Sequence, residues 1–313
     1  MTFPASIAAA LALAVGFGLV TLVPAILGAR LNDPAPPGAG RWRRAGMVPW
    51  VRLARTLGQR RAPTLAADRL LGRTAVVALP VVALLMVALL PLGGFRLADS
   101  AVGLVWFNAL DVMVWALFWL IGWGPNSVYP LIGGYRFLAQ AMSYELPLMF
   151  AITTPAVAAH SLRFADIVAA QQGLWFVVWM PVAFVVFCLG VVGFSLLPPL
   201  NHPGGVDIAG GVGAELTGLA RVLVGAGRYL LLTAGSATAA TMFLGGGAGP
   251  VLPAGVWLVV KTVVVACTLV ALRTLVPTIR ADRFVEVGWL VLIPATLLQL
   301  LLVSVLVGMG VLP

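Results

Sequence analysis

Charged residues are scarce in this chain, and their scarcity excludes an ordinary soluble domain. Only 9% of the 313 residues are Asp, Glu, Lys or Arg, whereas 61% are hydrophobic. Soluble domains carry about a quarter charged residues. The apolar runs recur along the whole chain, and they are continuous rather than alternating, which excludes a β-barrel. The composition therefore predicts an all-α polytopic membrane protein, organised as a single integral membrane domain over residues 1–313.

Residues that bind metals or form disulfides are equally rare. The two cysteines, Cys188 and Cys267, lie in separate apolar runs, and the two histidines, His160 and His202, lie in separate loops. These spacings suit neither a disulfide framework nor a zinc site nor an iron–sulfur cluster. We therefore expect no bound cofactor, no metal and no catalytic centre within this chain alone.

The positive charge is almost entirely arginine, because Lys261 is the only lysine in a chain of formal net charge +9. In a membrane protein such an excess reports orientation before it reports a polyanionic partner. Since no basic run lies on a soluble domain, we expect no nucleic-acid partner.

Eight apolar segments have the length that about 20 helical residues need to cross the hydrocarbon layer. The first is preceded by no positively charged region, so we expect an uncleaved span rather than a signal peptide. Pro147 and Pro155 favour a kink in the fourth. The eight predicted spans are residues 5–27, 74–92, 101–121, 131–158, 174–197, 219–244, 254–276 and 284–311.

The arginines predict the orientation of these spans. The loop at residues 30–73 holds ten arginines, and the loop after the seventh span adds Arg273, Arg280 and Arg283. The loops of the opposite side hold only Arg96 and Arg163. The positive-inside rule therefore predicts that the Arg-rich loops are cytoplasmic and that both termini are periplasmic.

The two long cytoplasmic loops differ in character. In the first, residues 47–61 form the pattern of a short basic amphipathic helix at the membrane interface, either a lipid-surface element or part of a binding site. The second, residues 198–218, is rich in Gly and Pro and excludes a continuous helix. It carries Asp207 and Glu215 but no phosphate-binding G-x-x-x-x-G-K-[ST] pattern, so we exclude nucleotide binding.

Two acids are predicted inside apolar helices, Glu145 in the fourth span and Asp111 in the third. A charge at the centre of a helix costs about 2.5–3.5 kcal/mol on insertion, so a partner or a water path is expected. Glu145 is either a proton-relay carboxylate or a structural partner of a cation. Arg136 is nine residues away, on roughly the opposite face of the helix. The better cationic candidates are on other helices: Lys261, Arg221 and Arg228.

The stretch 122–148, with the sequence GWGPNSVYPLIGGYRFLAQAMSYELPL, resembles the signature of one family, the H-type membrane subunit of NADH:quinone oxidoreductase (respiratory complex I). The resemblance continues through 243–246, 257–262 and 273–294. The matching signature residues are Gly122, Trp123, Asn126, Tyr129, Leu131, Gly133, Arg136, Ala139, Gln140, Ser143, Tyr144 and Glu145.

The chain resembles a divergent member of this family. An R-R-G-P-N-R-x-G element of the family's first loop is absent, and the acidic cluster of its second loop is reduced to Asp207, with Asn201 at an aspartate position. Arg228 lies where a glutamate is expected. Asp111 lies where the family usually has a small polar residue. It is therefore either an acid that compensates Arg228 or a neutral acid hydrogen-bonded to a neighbour.

The resemblance implies a membrane subunit of a proton-translocating NADH–quinone oxidoreductase in the bacterial inner membrane, contributing to a quinone chamber and a proton path. NADH and iron–sulfur clusters would lie on peripheral redox subunits, and antiporter-like subunits would be membrane partners. The proton-path candidates are Glu145, Asp207, Glu215, Lys261 and Asp111. The quinone-chamber or structural charge candidates are Arg55, Arg136, Arg228, Arg273, Arg280 and Asp282.

Two alternatives remain open. The reduced loop acids also fit a related membrane subunit of a membrane-bound nickel–iron hydrogenase. The chain could instead be a non-catalytic structural or ion-conducting relative.

Overall fold

The computed structural model describes residues 3–31, 40–60, 64–93 and 97–310, and their regular structure is helical. Residues 288–292 form a π-helical turn between the last two helices. The helices are α1 (Phe3–Leu31), α2 (Gly40–Leu57), α3 (Arg69–Ala88), α4 (Gly103–Trp123), α5 (Val128–Ala158), α6 (Phe164–Ala169), α7 (Phe176–Trp179), α8 (Pro181–Phe194), α9 (Gly218–Phe243), α10 (Ala254–Leu272), α11 (Ala281–Val287) and α12 (Ile293–Gly308).

Six helical segments of the described chain are long and apolar enough to cross a membrane. They are Ala9–Leu31, Arg69–Ala88, Gly103–Trp123, Gly218–Phe243, Ala254–Leu272 and Ala281–Gly308, and they correspond to six of the eight predicted spans. The other two predicted spans correspond to α5, which is 31 residues long, and to the α7–α8 segment. Arg136, Gln140 and Glu145 lower the hydropathy of α5, and α8 is only 14 residues long.

The predicted fifth span, 174–197, is interrupted at Met180, between α7 and α8. The side-chain amide of Gln299 in α12 bridges the interruption. Gln299 Nε2 donates to the carbonyl of Trp179 (3.0 Å), and Gln299 Oε1 accepts from the backbone N–H of Val182 (3.1 Å). Because buried backbone groups need partners, this one side chain allows a break within an apolar layer.

The amphipathic helix of the first loop is displaced from its predicted position. The structure places α2 at Gly40–Leu57, so it begins seven residues before the predicted 47–61 and ends four residues earlier. The second loop is irregular, as predicted, and contains three short 3₁₀ turns between residues 202 and 213. Arg61 and Arg96, which contribute to the predicted charge distribution, lie outside the described residues.

Helix α5 lies at the centre of the fold, packed against α4, α8, α12 and the 198–218 loop. Two glycines of the 122–148 stretch explain how closely α5 packs. A methyl group on Gly122 would lie 2.5 Å from the carbonyl oxygen of Pro130, and one on Gly133 would lie 2.4 Å from the backbone nitrogen of Val212. Side chains at these positions would force α5 away from α4 and from the loop.

Candidate functional site

The two intramembrane acids are neighbours. Asp111 in α4 is 0% exposed and Glu145 in α5 is 6% exposed, and their carboxyl groups interact directly. The helix contact that brings them together continues one turn along α4, where the rings of Trp115 and Tyr144 meet edge to face at 6.5 Å between centroids. We call Asp111 and Glu145 the acid pair.

This arrangement corrects the expected partner of Glu145. In the described chain no Lys or Arg nitrogen forms an ion pair with its carboxylate within 4.0 Å, so the expected pairing with Lys261, Arg221 or Arg228 does not occur. The charged group that acts on Glu145 is instead another acid, Asp111. All four carboxyl oxygens of the acid pair are buried and receive no hydrogen bond from a backbone amide or a basic side chain of the described residues.

Lys261 is enclosed by carbonyl oxygens. Its Nζ donates to the carbonyls of Leu244 (2.6 Å), Gly246 (3.0 Å) and Ala248 (2.7 Å), and it lies 4.3 Å from the ring centroid of Trp175. Because an ammonium has three N–H donors, every donor is used. Lys261 therefore fastens the turn after α9 onto α10. Its membership of the proton path stays a prediction.

Arg228, at the position where a glutamate is expected, is also bonded to backbone. Its Nε donates to the carbonyl of Ser195 (3.4 Å), and its Nη2 donates to the carbonyl of Leu196. These bonds fix the C-terminal end of α8, whose last carbonyls have no partner inside their own helix. The acid that would compensate Arg228 is therefore not supplied by Asp111, whose carboxyl group lies beside Glu145.

Arg136, His202 and Asp207 form a loop charge cluster where the N-terminal third of α5 meets the second loop. Arg136 Nη1 donates to Asp207 Oδ2 at 2.6 Å. This hydrogen bond lowers the pKa of the Asp207 carboxyl below 3.8. Burial, together with the positive charges of Arg136 and Arg280, lowers the pKa of His202 below 6.5, against the opposing effects of Asp207 and Asp282.

The remaining candidates lie outside this cluster and outside the acid pair. Glu215 accepts a hydrogen bond from Ser127 Oγ (3.1 Å), immediately before α5, where the helix dipole favours a negative charge. Arg280 and Asp282 pair with each other at 3.2 Å on the exposed start of α11. Arg55 is exposed on α2, and Arg273 is half-buried at the end of α10.

A cavity of about 750 Å³ opens between α1, α2, α9 and the second loop. We call it the α1–α2–α9 cavity. Its walls are mostly apolar, and a few polar side chains also line it. The lining residues include Thr21 of α1, Trp50, Arg52, Leu53 and Thr56 of α2, and Arg221, Arg228 and Tyr229 of α9.

Three residues near the acids, the buried Tyr144 and Gln140 and the half-buried Trp115, were not predicted as site residues. Tyr144 is 1% exposed, adjoins Glu145 in the chain and packs its ring edge to face against Trp115. Gln140 Nε2 donates to the carbonyls of Gly193 (3.1 Å) and Leu200 (2.9 Å), which ties the start of the second loop to α5. Tyr144 and Gln140 are both signature residues, so the signature itself was the available signal. Nothing in the local pattern indicates Trp115.

The described residues contain no group of three or more His, Cys, Asp or Glu side chains able to hold a metal ion. Chemically, the site can accept and release protons at the acid pair, and it can enclose an apolar ligand with a polar head in the α1–α2–α9 cavity.

Comparison with known proteins gives consistent matches. A family model described as NADH dehydrogenase matches residues 8–304. The chain is 36% identical over 247 residues to the NADH-quinone oxidoreductase H subunit 2 of Geobacter sulfurreducens, covering 75% of each chain.

Two further relatives are also H subunits of NADH-quinone oxidoreductases. The H subunit 1 of Geobacter metallireducens is 35% identical over 246 residues, with 75% of each chain covered. The H subunit of Geobacillus kaustophilus is 33% identical over 247 residues, covering 77% of this chain and 74% of the relative.

Proposed function

The chain belongs to the NADH dehydrogenase family, and from this premise we propose that its α1–α2–α9 cavity is part of a quinone chamber and its acid pair part of a proton path. It is a membrane subunit of a complex I-type NADH–quinone oxidoreductase, an integral multi-pass protein of the bacterial inner membrane. The chain supplies a chamber and a path, and the redox chemistry belongs to the complex.

The observation that carries the quinone proposal is the position of the α1–α2–α9 cavity. It lies beneath the amphipathic helix α2, so a lipid-soluble ligand can reach it from the membrane interface. Its volume is within the range of about 300–1,000 Å³ that is typical of small-molecule sites. Arg52, Arg221 and Tyr229 offer donors for a quinone carbonyl, and Leu53 with the α1 side chains offers an apolar surface for the ring and tail.

The proton proposal rests on the acid pair and on the loop charge cluster. Asp207 and Glu215 are the acids of the second loop, near the N-terminal end of α5, and the acid pair lies further along that helix. A path that enters from the loop would therefore reach Glu145 by following α5. Lys261 holds the far end of α9 and is a structural neighbour of this path rather than the place where protons enter it.

We also propose eight spans with both termini on the periplasmic side. Support comes from the length of α5, whose 31 residues reach about 46 Å and exceed the hydrocarbon thickness. The α7–α8 segment, bridged by Gln299, supplies the remaining crossing.

The partners we propose are peripheral subunits with iron–sulfur clusters and the NADH site, and antiporter-like membrane subunits. The named relatives favour this assembly over a nickel–iron hydrogenase or a non-catalytic scaffold. Affinity purification in mild detergent, followed by identification of the co-purifying subunits, tests the partner set. Hydrogenase subunits in the purified complex would contradict it.

A photoreactive quinone tests the chamber in the assembled complex. We expect covalent labelling within residues 47–61 that an excess of unmodified quinone suppresses. Leu53→Trp should fill the cavity and reduce labelling, whereas Leu57→Trp on the same helix, outside the cavity lining, should not. Labelling confined to other segments would leave α2 as a lipid-surface helix and contradict the chamber.

A further inference from the structure

The acid pair is enclosed without a neutralising cation among the described residues, although neighbouring helices carry cations. Lys261 donates all three of its N–H groups to carbonyls, Arg228 donates to two backbone carbonyls, and Arg136 is paired with Asp207. The charge state of the pair must therefore be balanced by something other than one of these side chains.

Two adjacent carboxylates that are both ionised in a low-dielectric site repel each other strongly. Asp111 and Glu145 are both buried, with exposed fractions of 0% and 6%. A proton on one carboxyl group removes the repulsion. It also creates an O–H···O⁻ hydrogen bond, which is among the strong, charge-assisted bonds.

The surrounding donors favour one remaining negative charge rather than two neutral acids. Tyr144 precedes Glu145 in α5, is 1% exposed, and its ring packs edge to face against the Trp115 indole of α4. Trp115 Nε1 and the Tyr144 hydroxyl are buried and make no hydrogen bond within the described part of the chain. An indole N–H can only donate and a phenol hydroxyl can donate, so a negative charge beside them offers an acceptor to two donors that otherwise have none.

We infer that Asp111 and Glu145 hold one proton between them as a carboxylic acid–carboxylate pair, so that the proton site of α5 is a two-residue unit completed by α4. This inference rests on the proposed proton path. In operation, an incoming proton converts the singly negative pair to two neutral acids, and release of one proton restores the original charge. No bond other than O–H forms or breaks, and no electron moves.

The alternative counter-charge is a sodium ion, because carboxylate and hydroxyl oxygens are also ligands of hard cations. The two cases differ in a direct observable. A shared proton gives the infrared signature of a protonated carboxyl group, whereas a bound sodium ion leaves two carboxylate signatures that depend on sodium concentration.

The test is infrared spectroscopy of the assembled complex in lipid at neutral pH, in light and heavy water. We compare the unmodified protein with Asp111→Asn, Glu145→Gln and a control, Asp166→Asn. Asp166 lies at an exposed helix start and accepts only a local hydrogen bond from Ser161, so its variant should match the unmodified protein.

A shared proton predicts that Asp111→Asn and Glu145→Gln abolish the same broad, isotope-sensitive band, each leaving the band of a single isolated acid. The exchanged variant, Asp111→Glu with Glu145→Asp, should restore the shared band. Both single variants should lower proton translocation by about 10²-fold or more, as loss of a proton-transfer group does.

Either of two results would overturn the inference: independent bands, of which each variant removes one and leaves the other unchanged, or sodium-dependent carboxylate bands without a protonated acid. The band reports the pairing whether or not the complex pumps. If Glu145→Gln stops translocation while Asp111→Asn leaves band and translocation intact, the pairing fails and the proton path stands. If neither variant affects translocation but both remove the band, the pairing stands and the path fails.

Discussion

Arg136 Nη1 lies 2.6 Å from Asp207 Oδ2, and this contact joins the N-terminal third of α5 to the second loop. Arg136 belongs to the 122–148 signature, and Asp207 is one of the two acids in the 198–218 loop. One acid of the loop therefore pairs with one signature arginine. The side chains are 26% and 50% exposed, so solvent screens the ion pair. The contact therefore positions the loop against α5 and adds little to the free energy of unfolding.

Breaking this contact should loosen the second loop. We expect Arg136→Gln and Asp207→Asn each to speed hydrogen exchange in residues 202–213, because the hydrogen bond holds the loop's second 3₁₀ turn against α5. Arg283→Gln is the control, since its ion pair with Glu286 lies within its own helix, α11. Equal exchange in all three variants and the unmodified complex would show that the 198–218 loop is held by other contacts.

The loop should also respond to pH through His202. Its folded-state pKa is below the ordinary 6.5, so the folded loop binds fewer protons than the released loop between those two values. The contribution of neutral His202 to loop stability is therefore present above about pH 6.5 and is lost as pH falls towards the folded pKa.

Hydrogen exchange in residues 202–213 checks this prediction when it is recorded from roughly pH 7.5 down to about pH 5, a window around the ordinary histidine pKa, and corrected for intrinsic rates. Protection should fall as pH is lowered, and His202→Gln should flatten the profile. An unchanged slope in His202→Gln would assign the pH response to another group.

The Lys261→Met variant tests whether Lys261 stabilises the structure or carries protons. Lys261→Met removes three hydrogen bonds and leaves one buried and two part-buried carbonyls without their donor, at a cost of up to about 1–3 kcal/mol for each unsatisfied group. We expect a lower thermal stability of the complex. At temperatures where the variant complex remains assembled, translocation should remain.

Thr262→Val is a matched control on the same helix, because its hydroxyl bonds only to the carbonyl of Leu258 one turn earlier. If Lys261→Met leaves stability unchanged but stops translocation, Lys261 belongs to the proton path after all.

The helical class, the apolar spans and the 122–148 stretch could be predicted because they depend on local properties. Continuous apolar runs form helices in a membrane, and each signature residue can be identified individually in the sequence. The irregular character of the 198–218 loop follows in the same way from its glycines and prolines.

Side-chain partners across helices could not be predicted, because they depend on tertiary packing. The sequence offered Lys261, Arg221 and Arg228 as partners for Glu145, and electrostatics alone favours a cation. Lys261 and Arg228 instead bond to backbone carbonyls near helix ends. Neither of them neutralises Glu145, which lies beside Asp111 and, in our inference, shares a proton with it. The Gln299 bridge at the α7–α8 break was hidden for the same reason, since it joins residues 117 and 120 positions apart.

The central claim is that Glu145 carries protons, and Glu145→Gln tests it most directly. The amide keeps the size of the side chain and its place in α5 but cannot exchange protons. The measurement is NADH-driven proton uptake into inverted membrane vesicles, with assembly verified by co-purification of the partner subunits. We predict an assembled complex whose proton translocation is abolished, and an assembled complex that pumps at the unmodified rate would contradict the claim.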